Sequence, residues 1–210
     1  MNKELGRQIL HIIVGAVTVY LIYIGILDPL VLFMILIVGA IASFLSTKIR
    51  VPFFGWFLER FERERNLKTF PGIGMIFFFA SALLCLKLFP KDIALASLMV
   101  LTLGDSTSHL IGKYFGRTKN PLNGNSYKLL EGSFAGLVFG FIGALVFVSP
   151  VEAFAASFLA VIVEATQFDL NKKAVDDNLL IPLVAGTAIL AIRNKWLMKL
   201  AMFIASFWVF

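Results

Sequence analysis

The chain has 210 residues, of which 59% are hydrophobic and 15% are charged. So few charged residues cannot cover the surface of a soluble domain, and the mean hydropathy of +0.88 excludes the soluble globular class. A net charge of +6 would suggest nucleic-acid binding in a soluble protein. In an apolar chain it indicates instead orientation in a bilayer and contact with anionic lipids. We therefore predict an integral membrane protein that does not bind nucleic acid.

A transmembrane helix needs about 20 apolar residues, so the chain has room for about eight. Proline, glycine and charged residues divide its apolar windows into predicted spans over 8–27, 29–47, 72–88, 92–112, 131–148, 151–167, 179–192 and 196–210. The last two are short enough to be tilted, partial or paired as a hairpin. The pattern predicts an all-α, polytopic transmembrane helical bundle of about seven or eight spans, which forms a single membrane-embedded domain over residues 1–210.

The distribution of basic residues orients this bundle. With the N-terminus on the cytoplasmic side, fourteen lysines and arginines fall on that side and five on the other. Cytoplasmic loops of membrane proteins carry an excess of basic residues, so the bias predicts a cytoplasmic N-terminus. An even number of spans would place the C-terminus on the same side.

The segment of about 52–67 differs from the spans. Charged residues occupy most of its other faces, while one face carries aromatic residues at i, i+3, i+4 and i+8, which are Phe53, Trp56, Phe57 and Phe61. This spacing is typical of a helix that lies in the plane of the membrane interface. Such a helix would either anchor the loop or border the path by which a lipid headgroup reaches a site.

Span four carries a polar stripe on one helical face. Its members follow i, i+3, i+4, i+7 and i+11: Thr102, Asp105, Ser106, His109 and Lys113. At 1.5 Å per residue, Asp105 lies roughly 9 Å inside the cytoplasmic end of the span. A carboxylate at that depth is costly unless it is paired, hydrated or bound to a cation. A structural ion pair with another helix would satisfy it, but the adjoining loop favours a metal or phosphate role.

That loop, Gly112–Gly132, combines four glycines with basic and polar side chains, among them Lys113, Gly116, Arg117, Ser126 and Lys128. Basic side chains and glycine-freed backbone N–H groups are suited to a polyphosphate. An ordinary positively charged cytoplasmic loop would explain the lysines but not Glu131, which opens the next span. Within that span, Gly132, Gly136 and Gly140 form a small-xxx-small ridge that predicts helix packing.

A third cluster lies between spans six and seven and consists of Glu164, Gln167, Asp169, Asp176, Asp177 and Asn178. Carboxylates on such a loop are suited to Mg²⁺, a hard cation that prefers oxygen ligands and shares them with phosphates. A solvated acidic loop is the alternative interpretation.

The first span begins with Glu4, Arg7, Gln8, His11 and Gly15 on one helical face. His11 alone would be a packed or interfacial histidine, but Arg7 one turn earlier favours contact with a substrate. Because an unperturbed histidine titrates near about pH 6.5, His11 is also a candidate proton acceptor.

These four clusters all fall at the predicted cytoplasmic level. Acidic groups for a metal, basic groups for phosphates and a wall of apolar helices together predict phosphoryl chemistry on a lipid. The sequence has no GxxxxGK(S/T) motif, and Gly72-Ile73-Gly74 does not extend to GxGxxG. Nothing therefore supports a soluble-type nucleotide fold.

The central block Gly104-Asp105-Ser106 and Gly112-Lys113-Tyr114-Phe115-Gly116 is followed by Lys128 with Glu131-Gly132-Ser133, and by Glu164 with Asp176-Asp177-Asn178 and Pro182. Together with the first-span pattern, these motifs resemble the CTP-dependent polyprenol kinase family over nearly the whole chain. That family includes dolichol kinase, phytol kinase and a CTP-using diacylglycerol kinase, and is related to the phosphatidate cytidylyltransferases. Two positions depart from it: His109 replaces a small residue, and Leu129 replaces the serine or threonine that follows the lysine.

The resemblance implies that CTP donates its γ-phosphate, that Mg²⁺ is required, and that the acceptor is diacylglycerol or a long-chain polyprenol-type alcohol such as dolichol, phytol or geranylgeraniol. The catalytic residues it implies are Asp105, Lys113, Glu131, Asp177 and His11. The implied nucleotide-binding residues are Lys113, Arg117, Lys128, Gly116, Ser126 and Asn178. The expected metal ligands are Asp105, Asp176 and Asp177, and the expected substrate contacts are Arg7, His11, His109 and Glu164. The general base is left open among His11, His109 and Asp177.

Two alternatives stay open on the sequence. A cytidylyltransferase would use the same residues while phosphatidate or a polyprenyl phosphate attacks the α-phosphorus of CTP. An ion-coupled transporter would use Asp105 and Glu164 to carry protons or ions. For the kinase, the expected partners are CTP, the lipid alcohol and the bilayer, with a homodimer allowed. We expect a multi-pass protein of the cell membrane, or of the endoplasmic reticulum membrane in a eukaryote, with a cytoplasmic N-terminus and active site.

Overall fold

The computed structural model describes residues 3–46, 60, 70–119, 129–166, 169–170, 173–174 and 176–194. In chain order the elements are α1 (Lys3–Tyr23), α2 (Pro29–Ser46), α3 (Ile73–Leu88), α4 (Lys91–Met99), a π-helical segment (Val100–Asp105), α5 (Ser106–Phe115), α6 (Leu130–Ala144), α7 (Pro150–Thr166), β1 (Asp169–Leu170), β2 (Lys173–Ala174) and α8 (Asp177–Arg193). Helix α4, the π segment and α5 run on without a break, so the described residues form seven helical rods.

The all-α prediction is confirmed, because the rods coincide with the first seven predicted spans to within a few residues. The exception in the described part of the chain is a two-residue antiparallel pair, β1 with β2, inside the predicted acidic loop. The eighth predicted span, 196–210, lies outside the described residues. So does the interfacial segment 52–67, apart from Arg60.

Three of these helices are long and apolar enough to cross a membrane: α1, α2 and the continuous rod Lys91–Phe115. Helices α3 and α6 are apolar but shorter. Large hydrophobic side chains on α2 face outward, as the lipid-facing side of a membrane helix does; they include Leu30, Phe33, Met34, Val38 and Phe44. The apolar helices are those of a membrane protein, while the count of seven or eight spans stays a prediction.

The rod Lys91–Phe115 is the centre of the bundle. In its most apolar stretch of 18 residues, 72% of the residues are buried, against 11% in the corresponding stretch of α2. Its middle, Val100–Asp105, is π-helical, which the sequence analysis did not predict. Within this segment Thr102 donates to the Leu98 carbonyl at 2.7 Å and packs directly against Gly15 of α1. Thr102 is therefore a helix-packing residue, and the polar site begins at Asp105.

The predicted ridge of small residues on α6 packs as expected against the central rod. A Cβ atom placed on Gly132 would lie 2.6 Å from the Ser108 carbonyl oxygen, and one on Gly136 would lie 3.1 Å from the Gly104 carbonyl oxygen. Both neighbours are backbone atoms that cannot move aside. Because residues 104, 108 and 112 share a helical face, this contact turns that face toward α6 and leaves the adjoining face to carry Asp105.

An ion-pair cluster lies at the C-terminal end of α8. The Arg193 guanidinium contacts Asp92 at the start of α4 and Glu152 at the start of α7, each at 2.6 Å. Glu152 also accepts hydrogen bonds from the backbone and hydroxyl of Ser149. The cluster joins the ends of three helices and balances an arginine on the side predicted to be less positive.

Candidate active site

Three side chains from two helical rods converge at the N-terminal end of α8. Asp105 ends the π segment, His109 follows one turn later in α5, and Asp177 is the first residue of α8. One ligand atom from each lies within 4.8 Å of the other two. The His109 Nε2 atom is 3.4 Å from Asp105 Oδ1, and Asp105 is only 8% exposed. We call these three residues the acidic triad.

The start of α8 sets the position of Asp177. Asp176 caps the helix: its Oδ1 atom accepts from the backbone N–H of Asn178 at 3.0 Å and from the Asn178 side-chain amide at 2.9 Å. An N-cap of this kind satisfies an otherwise unpaired helical N–H group. Gly74, near the start of α3, lies beside the Asn178 amide, which would be in ordinary van der Waals contact, at 3.8 Å, with a Cβ there. Asp176 stays a predicted metal ligand, but its described contacts are those of a helix cap.

Helix α1 brings His11 to the same end of the bundle. The imidazole meets the Phe78 ring edge-on, with centroids 5.4 Å apart, and it is close enough to Asp105 and His109 to interact with them electrostatically. Its Nε2 atom is buried and has no hydrogen-bond partner within the described ranges. One turn earlier, Arg7 bonds to Glu4 at 2.7 Å. The structure therefore places His11 beside the acidic triad.

Glu164 lies on a different side of the central rod. It is 4% exposed and accepts a hydrogen bond of 2.9 Å from the Ser108 hydroxyl. Ser108 belongs to the face of α5 that packs on α6. The predicted substrate contact of Glu164 stays a prediction, while its described bond joins α7 to α5.

Exposed basic side chains follow the acidic triad at the end of α5. Lys113 and Arg117 are both exposed, and the Lys113 ammonium lies 5.9 Å from the centre of the Tyr114 ring. Two other predicted phosphate contacts, Ser126 and Lys128, lie outside the described residues. The described part of the basic loop thus presents three cations to solvent: Lys113, Arg117 and Lys119.

Glu131 closes this loop at its base. Its carboxylate accepts from the backbone N–H of Thr118 at 3.1 Å and from the Thr118 hydroxyl at 3.0 Å. Lys119 and Leu129 form an antiparallel bridge alongside, and Gly116 packs closely against Leu129. A catalytic role for Glu131 stays a prediction, because its described contacts hold the two ends of the loop together.

The sequence predicts that these residues lie at the cytoplasmic level of the bundle, but it does not predict some of the contacts between them. The predicted substrate contact of His109 stays a prediction, but the contact of its imidazole with the Asp105 carboxylate was not predicted. The i, i+4 spacing of these two residues was a signal that could have paired them. The sequence analysis also missed Phe78 and Ser108, which carry no polar pattern of their own because their partners are on other helices.

Comparison with known proteins gives two relatives. The chain is 30% identical to CTP-dependent diacylglycerol kinase 1 of Saccharomyces cerevisiae over 152 residues, which is 70% of this chain and 51% of that protein. The chain thus spans about half the length of this relative. It is 26% identical to an uncharacterized protein of Methanocaldococcus jannaschii over 195 residues, covering 88% and 91% of the two chains. No family model and no solved structure matches. The chain is thus distantly similar to a CTP-dependent lipid kinase.

Proposed function

We propose that this protein is a CTP-dependent lipid kinase that transfers the γ-phosphate of CTP to the hydroxyl of diacylglycerol or a polyprenol-type alcohol. The observation that carries the proposal is the convergence of Asp105, His109 and Asp177 at one end of an apolar helical bundle. Exposed Lys113 and Arg117 continue from the same helix. Similarity to the yeast diacylglycerol kinase supports CTP as donor and a lipid as acceptor.

The acidic triad fits a divalent cation. Two carboxylates and an imidazole whose ligand atoms lie within 4.8 Å are a donor set of the right type and spacing. We take Mg²⁺ as the physiological ion, with Asp105 and Asp177 as its ligands, and we assign Asp176 to capping α8. When bound, the ion neutralises phosphate charge and polarises the transferred group.

The basic loop would hold the nucleotide. Lys113 and Arg117 are exposed cations at the end of α5, and Lys128, Ser126 and Gly116 belong to the same loop. Asn178 lies at the start of α8, next to Asp177. Phosphoryl transfer depends on positioning and on neutralising charge, which such groups supply.

In the proposed reaction, the lipid hydroxyl oxygen forms a bond to the γ-phosphorus, and the bond from that phosphorus to the β–γ bridging oxygen breaks. The products are a lipid phosphate and CDP. Of the three candidate bases, we favour His11 for the hydroxyl proton. Its Nε2 atom is buried without a hydrogen-bond partner in the described part of the chain, and the Asp105 carboxylate nearby would stabilise the resulting imidazolium.

The test uses purified protein in detergent with Mg²⁺ and CTP labelled at either the γ- or the α-phosphorus. Dolichol, phytol, geranylgeraniol and diacylglycerol are compared as acceptors. We expect label in the lipid from γ-labelled CTP alone, and a loss of about 100-fold or more in Asp105→Asn and Asp177→Asn. The matched control is Asp28→Asn, because Asp28 caps α2 through Val31 at 2.8 Å and asparagine caps equally well.

Other outcomes would replace the kinase. Lipid labelled from α-labelled CTP identifies a cytidylyltransferase. If no acceptor supports CTP turnover, the transporter is the remaining alternative, and ion flux in proteoliposomes would test its dependence on Asp105 and Glu164.

A further inference from the structure

We propose that His109 is a direct ligand of the cation held by Asp105 and Asp177, and that it raises the affinity of this site for divalent transition ions relative to Mg²⁺, with Mn²⁺ as their paramagnetic probe. The inference rests on the proposed function only in taking the acidic triad as its cation site. It goes beyond that function in assigning the third ligand and the class of ion that this ligand favours.

The geometry supports chelation by two helices. Asp105 and His109 are one turn apart, and residues at i and i+4 present their side chains on the same helical face. Asp177 approaches from the first turn of α8, where Asp176 and Asn178 hold the backbone. Paired side chains at i and i+4 of one helix with a third ligand from elsewhere are an established way to bind a metal.

Charge balance favours a divalent ion over a proton on His109. The two carboxylates lie within 4.8 Å of one another in an apolar bundle, where like charges repel strongly. A protonated imidazole would supply one positive charge to two carboxylates, whereas a divalent ion supplies two. Arg7, the nearby cation on α1, is bonded to Glu4.

The donor set affects the relative affinities of the site for different ions. Mg²⁺ is hard and takes oxygen ligands almost exclusively, so an imidazole nitrogen adds little to its binding. Imidazole is a good ligand for divalent transition ions, so adding His109 to two carboxylates should favour these ions relative to Mg²⁺ more than the carboxylates alone would. His109 is half-buried and its Nε2 atom already lies 3.4 Å from a carboxylate oxygen, so ligation needs only a small adjustment.

The test measures metal binding without CTP or lipid, on purified protein from which any affinity tag has been removed. Mn²⁺ binding is titrated by electron paramagnetic resonance, and electron spin-echo modulation detects a nitrogen bonded to the bound ion. The chain has two histidines, so the ligand can be assigned by substitution. The His11→Ala protein keeps His109 as its sole histidine and is the matched control for His109→Ala.

We expect nitrogen modulation in the wild type and in His11→Ala, and its loss in His109→Ala. Replacing histidine nitrogen by ¹⁵N should change the modulation in the first two. Mn²⁺ affinity should fall by at least the roughly 10- to 100-fold that loss of a supporting group costs a metal site, while Mg²⁺ affinity, measured by competition, changes little.

Three outcomes would overturn the inference: no saturable Mn²⁺ binding, Mn²⁺ bound without nitrogen modulation, or modulation that disappears in His11→Ala. The His11→Ala result needs no change at His109, so it stands even where His109→Ala fails to fold. Mn²⁺ bound through His109 in a protein that transfers no phosphate would refute the kinase and leave this site intact. Phosphate transfer by a protein that binds Mn²⁺ without a nitrogen ligand would refute this inference and leave the proposed kinase intact.

Discussion

The Ser108 hydroxyl donates a 2.9 Å hydrogen bond to the Glu164 carboxyl group, although the two residues are 56 positions apart. Both are buried, and the bond joins α7 to the helix that carries Asp105 and His109. The bond lies on the neighbouring face of that helix, so it supports the helix that carries the acidic triad without belonging to the triad. The hydrogen bond satisfies one oxygen of a carboxyl group buried in an apolar bundle, where an unsatisfied polar group is costly.

Glu164→Ala should lower the free energy of unfolding by about 1–3 kcal/mol, because it leaves the buried Ser108 hydroxyl without its partner. Equilibrium unfolding in mixed micelles titrated with SDS measures this. Thr166→Ala, on an exposed residue of the same helix, is the control. A double-mutant cycle with Ser108→Ala should give a coupling of roughly 0.6 kcal/mol or more. Equal stability of the Glu164 and Thr166 variants would contradict the assignment.

Arg193→Ala should destabilise the bundle by about 1–3 kcal/mol, since it leaves the buried Glu152 carboxylate without its charged partner. Asp92→Asn should cost less than about 1 kcal/mol, because Asp92 is an exposed partner of the same arginine. Thermal unfolding in detergent compares the two. Activity at low temperature should persist in both, because about 24 Å of α8 separates this cluster from Asp177. A larger loss for Asp92→Asn would refute this ranking.

Gly132→Ala should destabilise the protein by about 1–3 kcal/mol through overpacking. The added Cβ would lie 2.6 Å from the Ser108 carbonyl oxygen and 3.0 Å from Gly112 Cα, so the two helices must separate. Gly39→Ala is the matched control: among the described residues its Cβ would approach only Ile76, at 3.9 Å, and alanine favours the helix. Unfolding midpoints should therefore move in opposite directions. A Gly132→Ala protein as stable as the wild type would contradict the close contact between α5 and α6 at Gly132.

Two substitutions at Asp176 separate a helix cap from a metal ligand. Asparagine keeps the capping oxygen but loses the charge, so Asp176→Asn should keep most activity and stability. Asp176→Ala should cost about 1 kcal/mol of stability, because the Asn178 N–H group loses its acceptor. Thermal unfolding and phosphate transfer are measured on the same preparations. Inactivity of a stable Asp176→Asn protein would restore Asp176 to the metal ligands.

The helices were predictable from the sequence to within a few residues. A stretch of about 20 apolar residues has few alternatives in a bilayer, and proline, glycine and charge mark its ends. Asp105 and His11 could also be singled out, since a polar group within a span is costly. Asp177 was found differently, as a member of the acidic cluster between two spans. The glycine ridge at 132, 136 and 140 was readable for a related reason, because only small residues let helices approach closely.

The partners of these residues required the tertiary structure. The π segment lies in the buried part of the central rod, and no local residue pattern predicts it. The meeting of Asp105 and His109 with Asp177, about 70 positions away, depends on how far α8 is rotated and shifted against α5. The sequence alone determined which residues are too polar for the bilayer and how deep they lie, because hydropathy and helical rise are local. Which of them touch was decided only by helix packing, because contact between helices is set by the shapes of both surfaces at once.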